Sequence, residues 1–351
     1  MDTPALLVYP DRVQQNISQA IQIAGGVDQI RPHVKTHKML NVARMQVESR
    51  ISHFKCATIA EAEMMAKAGA SDVLIAYQLS QPRIVQLKRL IQKFPSVAFS
   101  SLIDNLDSAI ILSGKFTETT PAKIFLDIDV GHHRTGIPAG NRLDELIYQL
   151  KSLSSLEIKG LHVYDGHNTE ASLHKRIALS DAAMKPVLPY LVQHPEWELV
   201  TGGSPSFGAH SLHNDRRCSP GTFVFWDHGY QQKYPEYGFE YAALLATRVI
   251  SKLDDQTYCL DLGHKHVASE GAAPQIALFD TSTYEQVIHS EEHLVIKFEA
   301  AMNLKVGDML YGVPRHICPT VALYDAASVI SNHEVVDHWE VTARDLQLPK
   351  P

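Results

Sequence analysis

The chain is short of cysteine, of positive charge and of long apolar runs, and each shortage closes off a class of protein. Its 351 residues hold four cysteines, Cys56, Cys218, Cys259 and Cys318, spaced too widely to form a CxxC pair. No disulfide framework follows, and the pattern fits a reducing compartment with thiols left as single ligands or core residues. The formal net charge of −7 argues against a partner such as nucleic acid, which needs a basic face. No apolar stretch approaches the roughly 20 residues that span a bilayer, so no membrane partner is expected. The start, Met1-Asp2-Thr3-Pro4, has no basic region followed by an apolar core, and a cytoplasmic protein is expected. Internal repeats, low-complexity tracts and long linkers are also missing.

What is present is a sizeable core and an abundance of imidazole. Hydrophobic residues make up 45% of the chain, and 19 histidines, several of them clustered, invite metal or acid/base chemistry. The length suits one barrel of roughly 250 residues plus a smaller unit.

From about Val27 to Phe225, short β-rich runs alternate with amphipathic stretches. The spacing predicts strands at Gln29–Val34, His53–Cys56, Asp72–Tyr77, Val97–Ile103, Lys123–Val130, Glu157–Tyr164, Glu198–Gly202 and Cys218–Phe225. Helical patterns lie between most of them, at Ile59–Ala68, Pro82–Phe94, Asn105–Ser113, Arg142–Leu153 and Leu173–His194. About eight strand-then-helix units read as an α/β chain forming a (β/α)8 barrel; a doubly wound sheet is the alternative, because periodicity does not say whether a sheet closes. After Tyr237 five strand patterns follow with little helix, at Ala243–Ser251, Thr257–Leu262, Gln275–Asp280, Glu285–Ser290 and His293–Phe298, with Gly312-Val313-Pro314 as punctuation near the end. The expected division is a barrel over residues 10–236 and a C-terminal β domain over 237–351, joined by the first strand from residues 1–9 and carrying any metal site.

Barrel enzymes keep their chemistry at the C-terminal ends of the strands. Lys35 lies in the run Arg31-Pro32-His33-Val34-Lys35-Thr36-His37-Lys38, after the first predicted strand. Cationic neighbours destabilise an ammonium, so the run suggests a free amine able to form a Schiff base. The other strand ends offer Asp127, Asp129, His132, His133 and Arg134, then Tyr164, Asp165 and His167, then Thr201-Gly202-Gly203-Ser204 and the turn Ser219-Pro220-Gly221-Thr222. Gly202-Gly203-Ser204 can bring backbone N–H groups to a phosphate, although most such triplets are plain turns. A phosphate cradle together with a Schiff-base lysine points to pyridoxal phosphate. Arg134 suits a phenolic oxygen, or an ordinary ion pair with Asp127 or Asp129. Tyr164 could lie against a ring or simply pack. His132, Arg216 and Arg217 are possible anchors for an acidic substrate, or surface charges. In the β domain, His316-Ile317-Cys318 in extended backbone would turn its imidazole and thiolate to one side, a pair favouring zinc. His264-Lys265-His266 and Glu291-Glu292-His293 read as solvated loops or as supports for that site.

Taken in order over nearly the whole chain, these pieces resemble the fold type III pyridoxal-phosphate enzymes, in the branch of D-threonine aldolase and eukaryotic-type D-serine dehydratase. The matching runs include Thr3-Pro4-Ala5-Leu6, the Arg31–Lys38 run, Ala57-Thr58-Ile59-Ala60-Glu61-Ala62-Glu63, Asp127–Gly136, Gly160-Leu161-His162-Val163-Tyr164, Thr201–Ser204, Pro220-Gly221-Thr222, Ser290–His293 and His316–Thr320. The resemblance implies an alanine-racemase-like barrel, a C-terminal β domain and a homodimer. It implies that Lys35 carries pyridoxal 5′-phosphate, Arg134 meets its phenolic oxygen, and Tyr164 borders its ring. Thr201, Gly202, Gly203, Ser204, Gly221 and Thr222 would hold the phosphate, and His316 and Cys318 a divalent metal. Ser219 stands where alanine racemases carry an arginine at the pyridine nitrogen, which weakens a racemase reading. Cys318 stands where the aldolases carry aspartate, which moves the metal from manganese or magnesium toward zinc. Leu294 replaces a frequent glycine.

The expected activity is that of a lyase on 3-hydroxy-D-amino acids, leaning to dehydration as in D-serine dehydratase, with Lys35 as the general base. Aldol cleavage as in D-threonine aldolase is the alternative, with His167 or His133 as bases. An amino-acid racemase and a non-catalytic pyridoxal-phosphate carrier are remoter readings.

Overall fold

The computed structural model describes residues 1–345; the last six residues of the expected β domain, 346–351, lie outside the described residues. From the N-terminus, strand β1 (Ala5–Val8) leads into helix α1 (Pro10–Ala24), and α2 (Leu40–Glu48) follows. Strands and helices then alternate: β2 (His53–Cys56), α3 (Ile59–Ala68), β3 (Asp72–Ile75), α4 (Gln81–Lys93), β4 (Ala98–Ile103) and α5 (Leu106–Ser113). Next come β5 (Ala122–Ile128), α6 (Asn141–Leu150), β6 (Leu156–Val163), α7 (Leu173–Met184), α8 (Leu188–Gln193), β7 (Glu198–Thr201), α9 (Phe207–His210) and β8 (Arg217–Cys218). The remainder is α10 (His228–Lys233), β9 (Ala243–Lys252), β10 (Thr257–Leu260), β11 (Ile276–Leu278), β12 (Tyr284–His289), β13 (Leu294–Phe298), β14 (Met309–Pro314), α11 (Ile317–Val321), β15 (Ala326–Ser331) and β16 (Glu334–Glu340). Two compact units form. One contains Ser18–Lys35 and Ala43–Gly221; the other contains Met1–Ile17, Thr36–Val42 and Thr222–Arg344.

In the first unit, β2 to β8 form a parallel sheet in sequence order. The expected strand Gln29–Val34 is not a regular one, because Pro32 has no N–H to give to a ladder. The segment instead makes single bridges to both sheet edges, Ile30 to Cys218 of β8 and His33 to Lys55 of β2. Arg31 N donates to Cys218 O at 2.7 Å and Lys55 N to Pro32 O at 2.8 Å. The circle closes through this eighth, irregular stave, which removes the doubly wound alternative. The expected strand Cys218–Phe225 is likewise cut to Arg217–Cys218, since the chain turns into a short 3-10 segment at Thr222–Val224. The long helix expected over Leu173–His194 is split by Pro186 and Pro189 into α7 and α8. The Ala57–Glu63 run is a helix start: Thr58 Oγ1 accepts from Glu61 N at 3.1 Å, and Glu61 Oε2 accepts from Ala57 N at 2.7 Å.

Leu74, Leu102, Phe125 and Val200, from four of the strands, pack into one buried cluster. At the N-terminal ends of the strands the filling is ionic. Arg31, fully buried, puts Nη1 2.7 Å from Asp72 and Nη2 3.0 Å from Glu198, the residues that open β3 and β7. Two carboxylates for one guanidinium leave that charge satisfied.

In the second unit β1 lies inside the sheet, antiparallel to β9 and parallel to β15, as the sequence suggested for the first strand. The nine-stranded sheet runs β12-β13-β10-β9-β1-β15-β16, with β11 and β14 branching at β9. Gly312-Val313-Pro314 belongs to strand β14 rather than to a turn, and β15 and β16 lie beyond the five strands expected after Tyr237. Gly312 allows that pairing: a Cβ there would come within 2.7 Å of Ala277 O on β11. Among the described residues, no helix is long and apolar enough to cross a membrane.

Candidate active site and metal pair

Lys35 sits in a 3-10 turn, Val34–Thr36, immediately after the irregular stave, and its side chain is exposed. Its amine has no hydrogen-bond or ion-pair partner among the described residues. The crowding by neighbours in sequence is corrected by the structure. Arg31 turns away to Asp72 and Glu198. His37 is fully buried and, with burial as the main cause, pushed down to about 3, so it carries no charge at neutral pH. The cation whose field meets that of Lys35 comes instead from β2. Lys55 is pushed down to about 7, first by burial and then by the charge of Lys35.

Lys55 belongs to a buried chain of polar groups. Its Nζ lies 3.4 Å from His162 Nε2, and His162 Nδ1 lies 2.7 Å from Asp127 Oδ1. Gln78 Nε2 donates to Asp127 Oδ2 at 3.0 Å. Burial raises the proton affinity of Asp127, but hydrogen bonds from His162, Thr135 and Gln78 outweigh it and hold the carboxyl below its ordinary value. Burial, then Lys55, hold His162 below its own. Neutral His162 therefore keeps its proton at Nδ1 against the carboxylate and offers the Nε2 lone pair to Lys55. Strand pairing explains the meeting, since Asp127 of β5 and His162 of β6 are register partners.

Tyr164 is seated by two glycines. A Cβ on Gly166 would come within 2.3 Å of the Tyr164 ring, and one on Gly203 within 2.9 Å. The Arg134 guanidinium lies 4.7 Å from the ring centroid and Lys55 Nζ 5.9 Å from it. No carboxylate pairs with Arg134 among the described residues, because Asp127 is engaged by His162 and Asp129 by His133. His132 stands edge-on to Tyr164, with centroids 5.3 Å apart, and stacks on His167 at 5.9 Å. His167 is thus joined to the Tyr164 group. His133 is tethered to Asp129, at 3.0 Å from Nδ1 to Oδ2, and is highly exposed.

The Thr201–Ser204 turn is braced from below by Asp165. That buried carboxylate takes Ser206 Oγ at 2.6 Å, Ser180 Oγ at 2.9 Å and His210 Nε2 at 3.0 Å. Burial opposes its charge, but His210 and the hydroxyls hold it at about 2. Gly202 takes φ +68°, and a Cβ there would strike His210 at 2.6 Å. Ser204 Oγ accepts from Gly221 N at 3.2 Å, and the buried Thr201 Oγ1 has no partner among the described residues. Arg216 and Arg217, considered as anchors for an acidic substrate, are occupied by Asp181 at 3.4 Å and by Glu198 at 3.2 Å.

In the other unit, His316 is not in a strand; it caps the short helix α11. Ile317 N donates to Asp227 Oδ2 at 3.2 Å, Thr320 Oγ1 donates to His316 O at 2.8 Å, and His316 Nδ1 meets Glu270. Cys318 Sγ lies 3.1 Å from Thr36 Oγ1 and 3.5 Å from Thr222 Oγ1. Burial opposes both charges, yet the mutual hydrogen bond lifts His316 to about 9 and holds the Cys318 thiol below its ordinary value. The helix turn, rather than an extended backbone, brings the two side chains together. No group of three or more His, Cys, Asp or Glu is placed to hold a metal among the described residues. Glu291 and Glu292 are taken by Lys265 at 2.8 and 3.0 Å.

These side chains fit the groups that the resemblance implies. A partnerless amine, an unpaired guanidinium over a seated tyrosine and a buried orphan hydroxyl beside two glycines suit pyridoxal phosphate. An imidazole and a thiol drawn toward thiolate suit a soft divalent metal. The comparisons with known proteins give the family. Residues 8–226 match the alanine racemase N-terminal domain, and residues 242–330 match the putative serine dehydratase domain. The chain belongs to the alanine-racemase-like family, in the branch that joins that barrel to a serine dehydratase domain. It is 27% identical to the 3-hydroxy-D-aspartate aldolase of Paracoccus denitrificans (strain Pd 1222), over 98% of this chain and 92% of that protein. It is 32% identical to the D-threo-3-hydroxyaspartate dehydratase of Delftia sp. (strain HT23), over 40% of this chain and 37% of that protein. The crystal structure of D-threonine aldolase from Filomicrobium marinum superposes with a TM-score of 0.88 at 24% identity, covering 98% of this chain and 95% of that one.

Sequence reading passed over Lys55, gave His162 no role of its own, and named Asp165 at a strand end without its partners Ser206 and His210. The signal for Lys55 was its place on the short strand His53–Cys56 of an expected parallel sheet, whose faces are both covered.

Proposed function

We propose that the chain is a pyridoxal-phosphate- and metal-dependent lyase of 3-hydroxy-D-amino acids, and that its main reaction is dehydration. The observation that carries the choice is Cys318: two threonine hydroxyls and His316 favour its thiolate, the donor that selects zinc over magnesium or manganese. The bound cofactor supplies an electron sink for the bond broken at Cα, and the metal a Lewis acid for the β-hydroxyl. Lys35 would carry the cofactor and, as a free amine, would take the Cα proton as general base. Arg134 holds the phenolic oxygen and Tyr164 borders the ring. Thr201 to Ser204, Gly221 and Thr222 bind the phosphate, and His316 and Cys318 hold the metal. Loss of the Cα proton and the β-hydroxyl would release one water; hydrolysis of the resulting enamine would consume one water and yield a 2-keto acid and ammonia.

A second reading is favoured by the 3-hydroxy-D-aspartate aldolase, one of several relatives that match along nearly the whole chain. In it a base removes the β-hydroxyl proton and the Cα–Cβ bond breaks to give glycine and an aldehyde. His167, stacked beside the Tyr164 group, suits that base better than His133, tied to Asp129. Zinc-loaded protein given D-threonine separates the two: 2-oxobutyrate with ammonia supports dehydration, and glycine with acetaldehyde refutes it. The division at residues 10–236 and 237–351, a homodimeric state and a cytoplasmic location remain part of this proposal.

A further inference from the structure

Lys55 is 2% exposed, and its Nζ has one hydrogen-bond partner among the described residues, the lone pair of His162 at 3.4 Å. An ammonium has three hydrogens to donate. Two are left over, in a place where water has been removed and no carboxylate touches the charge. Asp127 lies one residue further off and spends its oxygens on His162 and Gln78. The field of Asp127 supports the Lys55 charge, but Lys35, Arg31 and Arg134, all cations, oppose it, Lys35 most strongly. A buried cation in cationic company is costly to the protein alone. It is balanced only when an anion arrives, and the Tyr164 ring 5.9 Å from Nζ marks where that anion would sit.

We propose that Lys55, aimed by the His162–Asp127 pair, is an anion-binding group of the Lys35 site that takes one anionic oxygen of the bound molecules. The inference rests on the reading that Lys35 carries pyridoxal phosphate. The oxygen belongs either to the cofactor's phenolate or to a substrate's side-chain carboxylate, and the two sources are separable by experiment. His162 and Asp127 are positioning residues: they fix which way the ammonium points and bind no ligand themselves.

The test is Lys55→Met, of similar length and without charge, in the full chain with and without pyridoxal phosphate. Without cofactor the variant should melt at a higher temperature than the parent, because an uncompensated charge has been removed. If the lysine serves the fold, the variant melts lower and the inference fails. Cofactor titrated onto the two proteins, followed by its absorbance, gives the second readout. Binding weakened about tenfold or more, with an altered pH dependence of the absorbance, identifies the phenolate. Unchanged cofactor binding, with KM for 3-hydroxy-D-aspartate raised about tenfold relative to D-serine, identifies a side-chain carboxylate. Lys55→Arg should recover part of whichever is lost. No change in cofactor binding or substrate preference overturns the inference. The parent protein is the control for the underlying reading: if it takes up no cofactor, that reading fails first.

Discussion

Two buried cations of one barrel, Arg31 and Lys55, meet opposite fates. Arg31, at the end where the strands begin, is gripped by Asp72 and Glu198. Lys55, at the end where they finish, has a neutral imidazole and two idle hydrogens. Both are sealed from water, so the difference lies in company alone. A cation supplied with its own anions belongs to the architecture; one left without them is waiting for something to bind.

The largest effect that would break this comparison is at Lys35. Lys35→Ala should abolish the absorbance of bound cofactor and all turnover while leaving the melting temperature unchanged; a retained band would remove Lys35 from the site. Next, Arg31→Met leaves Asp72 without its guanidinium and Glu198 with Arg217 alone, and should cost roughly 3–5 kcal/mol of stability by chemical denaturation. A loss below about 1 kcal/mol, the level of exposed pairs, would erase the contrast with Lys55. Cys318→Asp should weaken zinc retention and raise the share of glycine among the products; unchanged metal content and product ratio would take Cys318 out of the mechanism. Smallest is a pH effect. Burial, then Lys35, depress Lys55 from 10.5 to about 7. Its contribution to stability is therefore complete above 10.5 and is lost as pH falls toward 7. Cofactor-free protein should gain stability between pH 7.5 and 9.5 on this account, on the order of a few degrees in Tm, and Lys55→Met should remove that gain.

The barrel rhythm, the first strand's partnership with the later sheet and the family itself were legible in the sequence, because strand spacing and motif order survive without coordinates. The failures have local causes. Pro32 turned an expected strand into two single bridges, and Pro186 with Pro189 cut an expected helix. Strand β16 was missed because nearly all of Glu334–Glu340 is exposed, so no buried face sets an alternation; β15, Ala326–Ser331, carries no such excuse. The crowding of Lys35 was assigned to neighbours along the chain, whereas the cation that meets it stands on another strand. His316 and Cys318 were paired for the wrong geometric reason, since a helix start, not a strand, joins them. Linear spacing tells which residues are near in sequence; it does not tell which charges have already found partners.

The irregular stave that carries Lys35 has a mechanical consequence. Every other stave of the barrel is stitched to at least one neighbour by a run of register pairs, while this one is pinned at Ile30 and at His33 by one bridge each. With Pro32 between the pins, the seam is the part of the wall least held by its own backbone. Amide exchange should find it loosest when the protein is empty and slower once a bound molecule ties Lys35 down. Under the proposed function the lysine is a latch as well as a reagent: what it would hold also fastens the wall from which it projects.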